Sequence, residues 1–263
     1  MLRPMPIGKC KLCLRTADLQ NSHLMPASLY KKSRIPGARN PNPTFITEKG
    51  TKQTSRQIRN FVLCRDCEQP FSKNGENYVM TQVFDGNNKK FPLLDVLRTT
   101  TPTWGGPEFV GYELTATPTI DRDRLGYFAL SVFWRASVHI WRERGEEAVT
   151  LELGNVYNEA FRKYLVGQAG FPSDVVLLIT ACTDALSQDT FYVPSLGSKN
   201  VERTYSFMAK GLNFLMIVGK QLRAPAVRDL CAVTGKRRLI LSRSCESKLQ
   251  GAYDRLARIQ GTP

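Results

Sequence analysis

The sequence is short of histidine and of acid: two histidines stand in 263 residues, and 23 Asp and Glu face 37 Lys and Arg. Any imidazole chemistry therefore falls to His23 or His139. The longest apolar runs, around 125–134 and 212–218, fall short of the roughly 20 residues that a bilayer-crossing helix needs, so no membrane partner is expected. The opening "MLRPMPIGKCKLC" has no apolar stretch of the secretory kind, which makes a reducing cytoplasm the expected location. No internal repeat and no low-complexity tract is visible. With 42% hydrophobic and 10% aromatic residues the chain is no disordered polymer, and its length suits one large domain or two modest ones.

What is present is cysteine in a pattern. Four of the seven cysteines form two C-x-x-C pairs, Cys10/Cys13 and Cys64/Cys67. A C-x-x-C pair sets two thiolates on one tight turn, spaced for one edge of a tetrahedral zinc ion, and two pairs complete a four-sulfur structural zinc site. In a reducing compartment, metal is expected over disulfide. Cys182, Cys231 and Cys245 lack such spacing and read as ordinary core or surface thiols.

The formal charge of +14 is unevenly spread. Residues 1–76 hold 14 Lys and Arg against 5 Asp and Glu, 77–222 hold 14 against 15, and 223–263 hold 9 against 3. Basic charge thus collects around the cysteines and at the far end, which suits a polyanionic partner, nucleic acid being the commonest.

Along the chain, an extended piece through His23 to Met25 leads to Pro26 at a helix start. The stretch from Arg34 to Gln57, centred on "PGARNPNP", reads as a long loop or hairpin insertion. A short strand, Phe61 to Leu63, then delivers Cys64 and Cys67 at a turn into a helix. Knuckle, strands, second knuckle and helix describe a ββα treble-clef module over 1–80, whose metal contributes directly to folding.

The remainder, 81–263, reads as a larger domain of helices on an antiparallel sheet, giving an α+β fold overall. A short helix is expected at Leu93–Arg98, and the strongest helical periodicity lies in "DRLGYFALSVFWRASVHIWRER". His139 falls in that helix near Trp134 and Trp141 and reads as a packed or surface histidine. Arg135, on an apolar helix face, suggests a bridge to a buried carboxylate or a phosphate contact. "NVYNEAFRKYLVG" reads as a second helix ended by Gly167, "DVVLLITAC", "TFYVPS" and "TYSFMAKGLNFLMIVG" as strands, and "SKLQGAYDRLARIQ" as a basic amphipathic helix.

The order C-x-x-C, then "SHLMP" around His23, then Asn60 to Cys64-x-x-Cys67-Glu68, resembles the HNH endonuclease family over residues 10–76. It looks closest to bacterial proteins in which an HNH-like treble clef precedes a segment like "FWRAS" at 133–137. The resemblance implies that His23 is the general base that activates water against a phosphodiester, and that Asn60 orients the histidine and its loop. Ser22 stands where many HNH proteins have a metal-binding aspartate, and Glu68 where they have a histidine. The resemblance makes Glu68 the candidate ligand for a catalytic magnesium or manganese, with Glu76 on nearly the same helix face or simply solvated.

Two functions follow. The first is a metal-dependent endonuclease acting on DNA, of the kind found in phage defence, with Lys31, Lys32, Arg34, Lys52, Arg56 and Arg59 neutralising phosphates. The second is a non-catalytic zinc-finger module that binds nucleic acid. A protein-interaction scaffold leaves the basic ends unexplained. Oligomeric state is not legible in the sequence.

Overall fold

The computed structural model describes residues 5–35, 37–47, 50–107, 109–113, 115, 117–142, 149–198, 203–219, 222, 228–234 and 238–242. The fold is α+β. Strands β1 (Ile7–Lys9) and β2 (Thr16–His23) flank the first cysteine turn, and a short helix, α1 (Ala27–Lys32), follows. The turn closes tightly because Leu14 takes a positive φ of 65° while its N–H reaches the carbonyl of Cys10 at 3.0 Å. Strands β3 (Thr44–Thr47) and β4 (Gly50–Gln53) form a hairpin inside the expected insertion. Strand β5 (Arg59–Cys64) returns beside β2, giving an antiparallel sheet of order β1-β2-β5.

Cys64 caps α2 (Arg65–Phe71), which runs on through a π-helical turn at Ser72–Glu76 into α3 (Asn77–Gln82). Pro70 lies inside α2 and has no N–H to offer the helix. In the next turn the Asn77 N–H reaches back to Ser72 O, five residues away. The wider turn absorbs about one residue, so Glu68 and Glu76, eight apart, lie as if about seven apart, close to two α-helical turns. Gly75 is needed here: a Cβ on it would stand 3.0 Å from the backbone of Phe128.

Phe128 belongs to α5 (Arg122–Val138), which is reached through α4 (Pro92–Arg98), β6 (Trp104–Gly105) and β7 (Phe109–Glu113). Helix α5 is capped at its start by Asp121, whose carboxylate accepts from Arg124 N–H at 3.0 Å. It ends four residues before Arg142 rather than continuing to it. His139 is already extended at the C-cap, and Trp141 pairs with Val149 in an isolated bridge, so the expected helical placement of His139 is corrected.

Next come α6 (Gly154–Leu165), β8 (Val175–Cys182), α7 (Ala185–Asp189), β9 (Phe191–Ser198), β10 (Arg203–Ala209), β11 (Leu212–Val218) and β12 (Arg238–Ser242). The three strand-like stretches of the sequence are β8, β9 and the hairpin β10–β11. Its turn residues Lys210 and Gly211 take φ of 40° and 87°, as tight hairpins favour. The second sheet has the order β6-β7-β12-β8-β11-β10-β9 and is antiparallel except where β12 runs parallel to β8.

Helix α5 is the centre of the molecule. Its Phe128 and Phe133 meet Phe207 and Phe214 of the large sheet edge-on, with ring centroids 5.0–5.7 Å apart. Its other side carries the π turn through Gly75. Buried residues on both sides of residue 80 form one contiguous core. Arg162 of α6 also donates to Leu12 O at 3.1 Å, within the first cysteine turn. Cys231 is a free buried thiol, whereas Cys182 is disulfide-bonded, contrary to the expectation of a simple thiol. The expected helix at the chain end and Cys245 lie outside the described residues. Among the described residues no helix is long and apolar enough to cross a membrane.

Candidate functional site

Two turns bring the four paired cysteines together. The first lies between β1 and β2, the second at the junction of β5 and α2, and the β2–β5 pairing fixes one against the other through Leu19 opposite Cys64. All four sulfurs lie within 4.8 Å of one another. Cys13 Sγ and Cys64 Sγ are 3.8 Å apart, the edge length of a tetrahedron with metal–sulfur bonds of about 2.3 Å. Cys64 N–H donates to Cys10 Sγ at 3.4 Å. The Cys67 thiol beside it, against the opposing effect of burial, brings the Cys10 thiol down to about 4, and Cys67 itself is pushed up by the same contact. Arg15 neighbours Cys13, which raises its guanidinium pKa. Donor type, convergence and spacing fit a soft tetrahedral ion such as zinc.

His23 ends β2, as the sequence suggests, with Arg59 as its partner across the sheet. It is half-buried, and burial holds its imidazole below the ordinary value, assisted by Arg59 and Arg135. At neutral pH it is therefore mostly uncharged. The Gln57 side chain neighbours it and works against that lowering. Asn60 lies opposite Ser22, and its side-chain oxygen accepts from the N–H of Phe61 at 2.8 Å. Gln57 carries no signal in the sequence, because only the return of the 34–57 insertion brings it to the end of β2.

Ser22 is buried, and its hydroxyl is taken up by the backbone. It donates to Gln20 O at 3.4 Å and accepts from Leu63 N–H at 3.3 Å. Burial pushes the Glu68 carboxyl above its ordinary range, with Ser22 and Arg135 pulling the other way. Its Oε1 is buried without a hydrogen-bond partner among the described residues. Glu76 is not the solvated acid that one sequence reading allowed. Its Oε1 accepts from Arg135 Nη2 at 2.7 Å, and its side chain is 16% exposed. Arg135, 1% exposed, also donates from Nη1 to His23 O at 2.8 Å and from Nε to Ser131 O at 3.3 Å, and lies over the Phe71 ring at 5.3 Å. The arginine that looked out of place on α5 thus ties α5 to the end of β2 and to the π turn. Among the described residues the cysteines form the only close group of three or more His, Cys, Asp or Glu ligand atoms.

A cleft of about 280 Å³ is lined by Tyr30, Lys31, Arg34, Ser55 and Gln57 among others, and approaches His23 through Gln57. Lys31 and Arg34 bring two of the candidate phosphate-binding cations to one place. Lys32 is turned elsewhere, pairing with Asp85 at 3.0 Å. Lys52 is exposed on the hairpin, and Arg56 and Arg59 are exposed on the return towards β5. Comparison of the chain with protein-family models, with curated proteins and with solved structures gave no match.

Proposed function

We propose that this protein is an HNH-like endonuclease in which a zinc ion on Cys10, Cys13, Cys64 and Cys67 braces a phosphodiester-cleaving site at His23. The observation that carries the reading is the environment of His23. A mostly neutral imidazole neighbours Gln57, and Gln57 lines a cleft with the cations Lys31 and Arg34. Cations bind the phosphates of DNA without reading its sequence, and a neutral imidazole accepts a proton near pH 7. His23 removes a proton from water as the water oxygen bonds to phosphorus. The bond from phosphorus to the leaving sugar oxygen breaks, and that oxygen takes a proton from solvent. Glu68 would hold a magnesium or manganese ion, which would supply charge stabilisation to the phosphate.

The test is cleavage of plasmid DNA by the full chain with added magnesium or manganese, beside a His23→Ala variant of equal zinc content. Cutting that needs the divalent ion and falls by about 100-fold or more in the variant supports the reading. Equal cutting by the variant sinks His23 as the base.

A specific observation favours a second reading, a zinc-braced module that binds nucleic acid without cutting it. The Ser22 hydroxyl is consumed by backbone groups, and the described residues contain no second ligand cluster. Retained DNA binding with no cleavage in either protein selects this reading.

A further inference from the structure

The register of β2 and β5 defines a face whose side chains differ from the rest of the sheet. Asn21 lies opposite Phe61 and His23 opposite Arg59, with Ser22 and Asn60 between them. Side chains alternate across a strand, so Asn21, His23, Phe61 and Arg59 share one face and Ser22 and Asn60 the other. Ser22 is buried beneath the sheet, Asn21, Arg59 and Phe61 are exposed, and His23 and Asn60 are half-buried. Phe61 keeps 40% of its surface open to water.

A single exposed phenylalanine is ordinary. This one has no aliphatic companion among its three neighbours on the face. They are a cation, an imidazole and an amide, and none of the four is acidic. The face also adjoins the basic cleft, because Gln57 neighbours His23 and lines that cleft with Lys31 and Arg34. A ring beside a row of cations is the arrangement that binds single-stranded nucleic acid: the cations follow the phosphates, and the ring accepts the flat surface of a base. A base inside a duplex has both surfaces covered by its neighbours and offers none to Phe61.

We propose that Phe61 is a base-stacking platform for an unpaired nucleotide, so that the strand engaged at this site is single-stranded. The inference rests on the nucleic-acid reading above and narrows its substrate. Arg59 meets the phosphate next to the stacked base, and Lys31 and Arg34 carry the strand onward through the cleft.

Affinity for a short labelled oligothymidylate, and for an abasic oligonucleotide with the same number of phosphates, tests it in the full chain. The wild type is expected to prefer the strand that carries bases. Phe61→Ala is expected to bind oligothymidylate about 5- to 100-fold more weakly, the loss of one base–aromatic stack, and to bind the abasic strand unchanged. Phe61→Trp keeps the affinity, and its added fluorescence is quenched on binding. Equal binding of both strands by the wild type, or an equal loss on both in Phe61→Ala, overturns the stacking site and leaves nucleic-acid binding standing. Failure of the wild type to bind any strand, duplex included, overturns the underlying reading as well. Matching zinc content in all three proteins shows that the fold is not what changed.

Discussion

The two sheets of this molecule are held by different means. The large sheet rests on rings: Phe207 and Phe214 stack on each other with centroids 4.7 Å apart, and Phe128 and Phe133 of α5 pack edge-on against them. The small sheet has three strands, the first of three residues, and what joins its two turns is a cluster of four sulfurs. Charge follows the same division. Residues 77–222, which hold most of the large sheet, carry 14 basic against 15 acidic residues, whereas 1–76 carry 14 against 5. A metal that braces a sheet lowers its need for apolar side chains. Positions are then free for cations and for an exposed ring such as Phe61.

The largest expected effect breaks the small sheet alone. Cys67→Ser removes one of four ligands, and a structural zinc site contributes of order 10 kcal/mol to the segment that it organises. Metal content should fall, and amide exchange in β2 and β5 should approach that of open chain while β8, β10 and β11 stay protected. Equal loss of protection in both sheets would mean that the contiguous core makes one cooperative unit, and the contrast between the two sheets would fail.

A smaller effect tests the join between them. Arg135 links α5 to the His23 carbonyl and to Glu76 from a fully buried position. Removing one partner of a buried pair strands the other, at a cost of about 3–5 kcal/mol, whereas replacing both with apolar side chains comes near to neutral. Arg135→Met should therefore lower the denaturant midpoint strongly, and adding Glu76→Leu should restore much of it. If the double variant is as unstable as the single one, the arginine's bond to the His23 carbonyl is the part that matters.

What the sequence made legible was local. The cysteine pairs reveal their geometry because ligand spacing is a short-range property, and α5 shows itself through Leu125, Phe128, Ala129, Val132 and Phe133 at helical intervals. The end of α5 is not legible in this way, because Ile140, Trp141 and Arg142 continue the pattern of composition while the backbone turns extended to pair Trp141 with Val149. Strands β7 and β12 carry little local signal because their pairing spans a long separation, Arg238 lying opposite Glu113, and β6 has only two residues. The position of His23 at the end of β2 was legible from the sequence, and the approach of Gln57 to it was not. The fate of Glu76 depended on an arginine 59 residues away. Its alignment with Glu68 depended on a π turn, which no periodicity rule anticipates.

The smallest effect concerns a second link between the regions, the pair of Lys32 on α1 with Asp85 beyond α3, at 3.0 Å and with both side chains about a quarter exposed. Such a pair contributes about 1 kcal/mol or less. Asp85→Asn isolates the charge, since an asparagine oxygen in the same place can still accept the Asn87 N–H that Asp85 accepts at 3.1 Å. Lys32, chiefly through its hydrogen bond, holds the Asp85 carboxyl below its ordinary 3.8. A carboxylate whose pKa is lower in the folded state than in the unfolded chain stabilises the fold above the unfolded value, and that contribution is lost as pH falls through the folded one. The wild type should thus exceed Asp85→Asn slightly in stability at neutral pH, and the gap should close on acidification below about pH 4. A gap that persists at low pH would assign the link to shape rather than charge. The α1 contact would then belong with the ring-packed sheet, not with the charged surface around the cysteines.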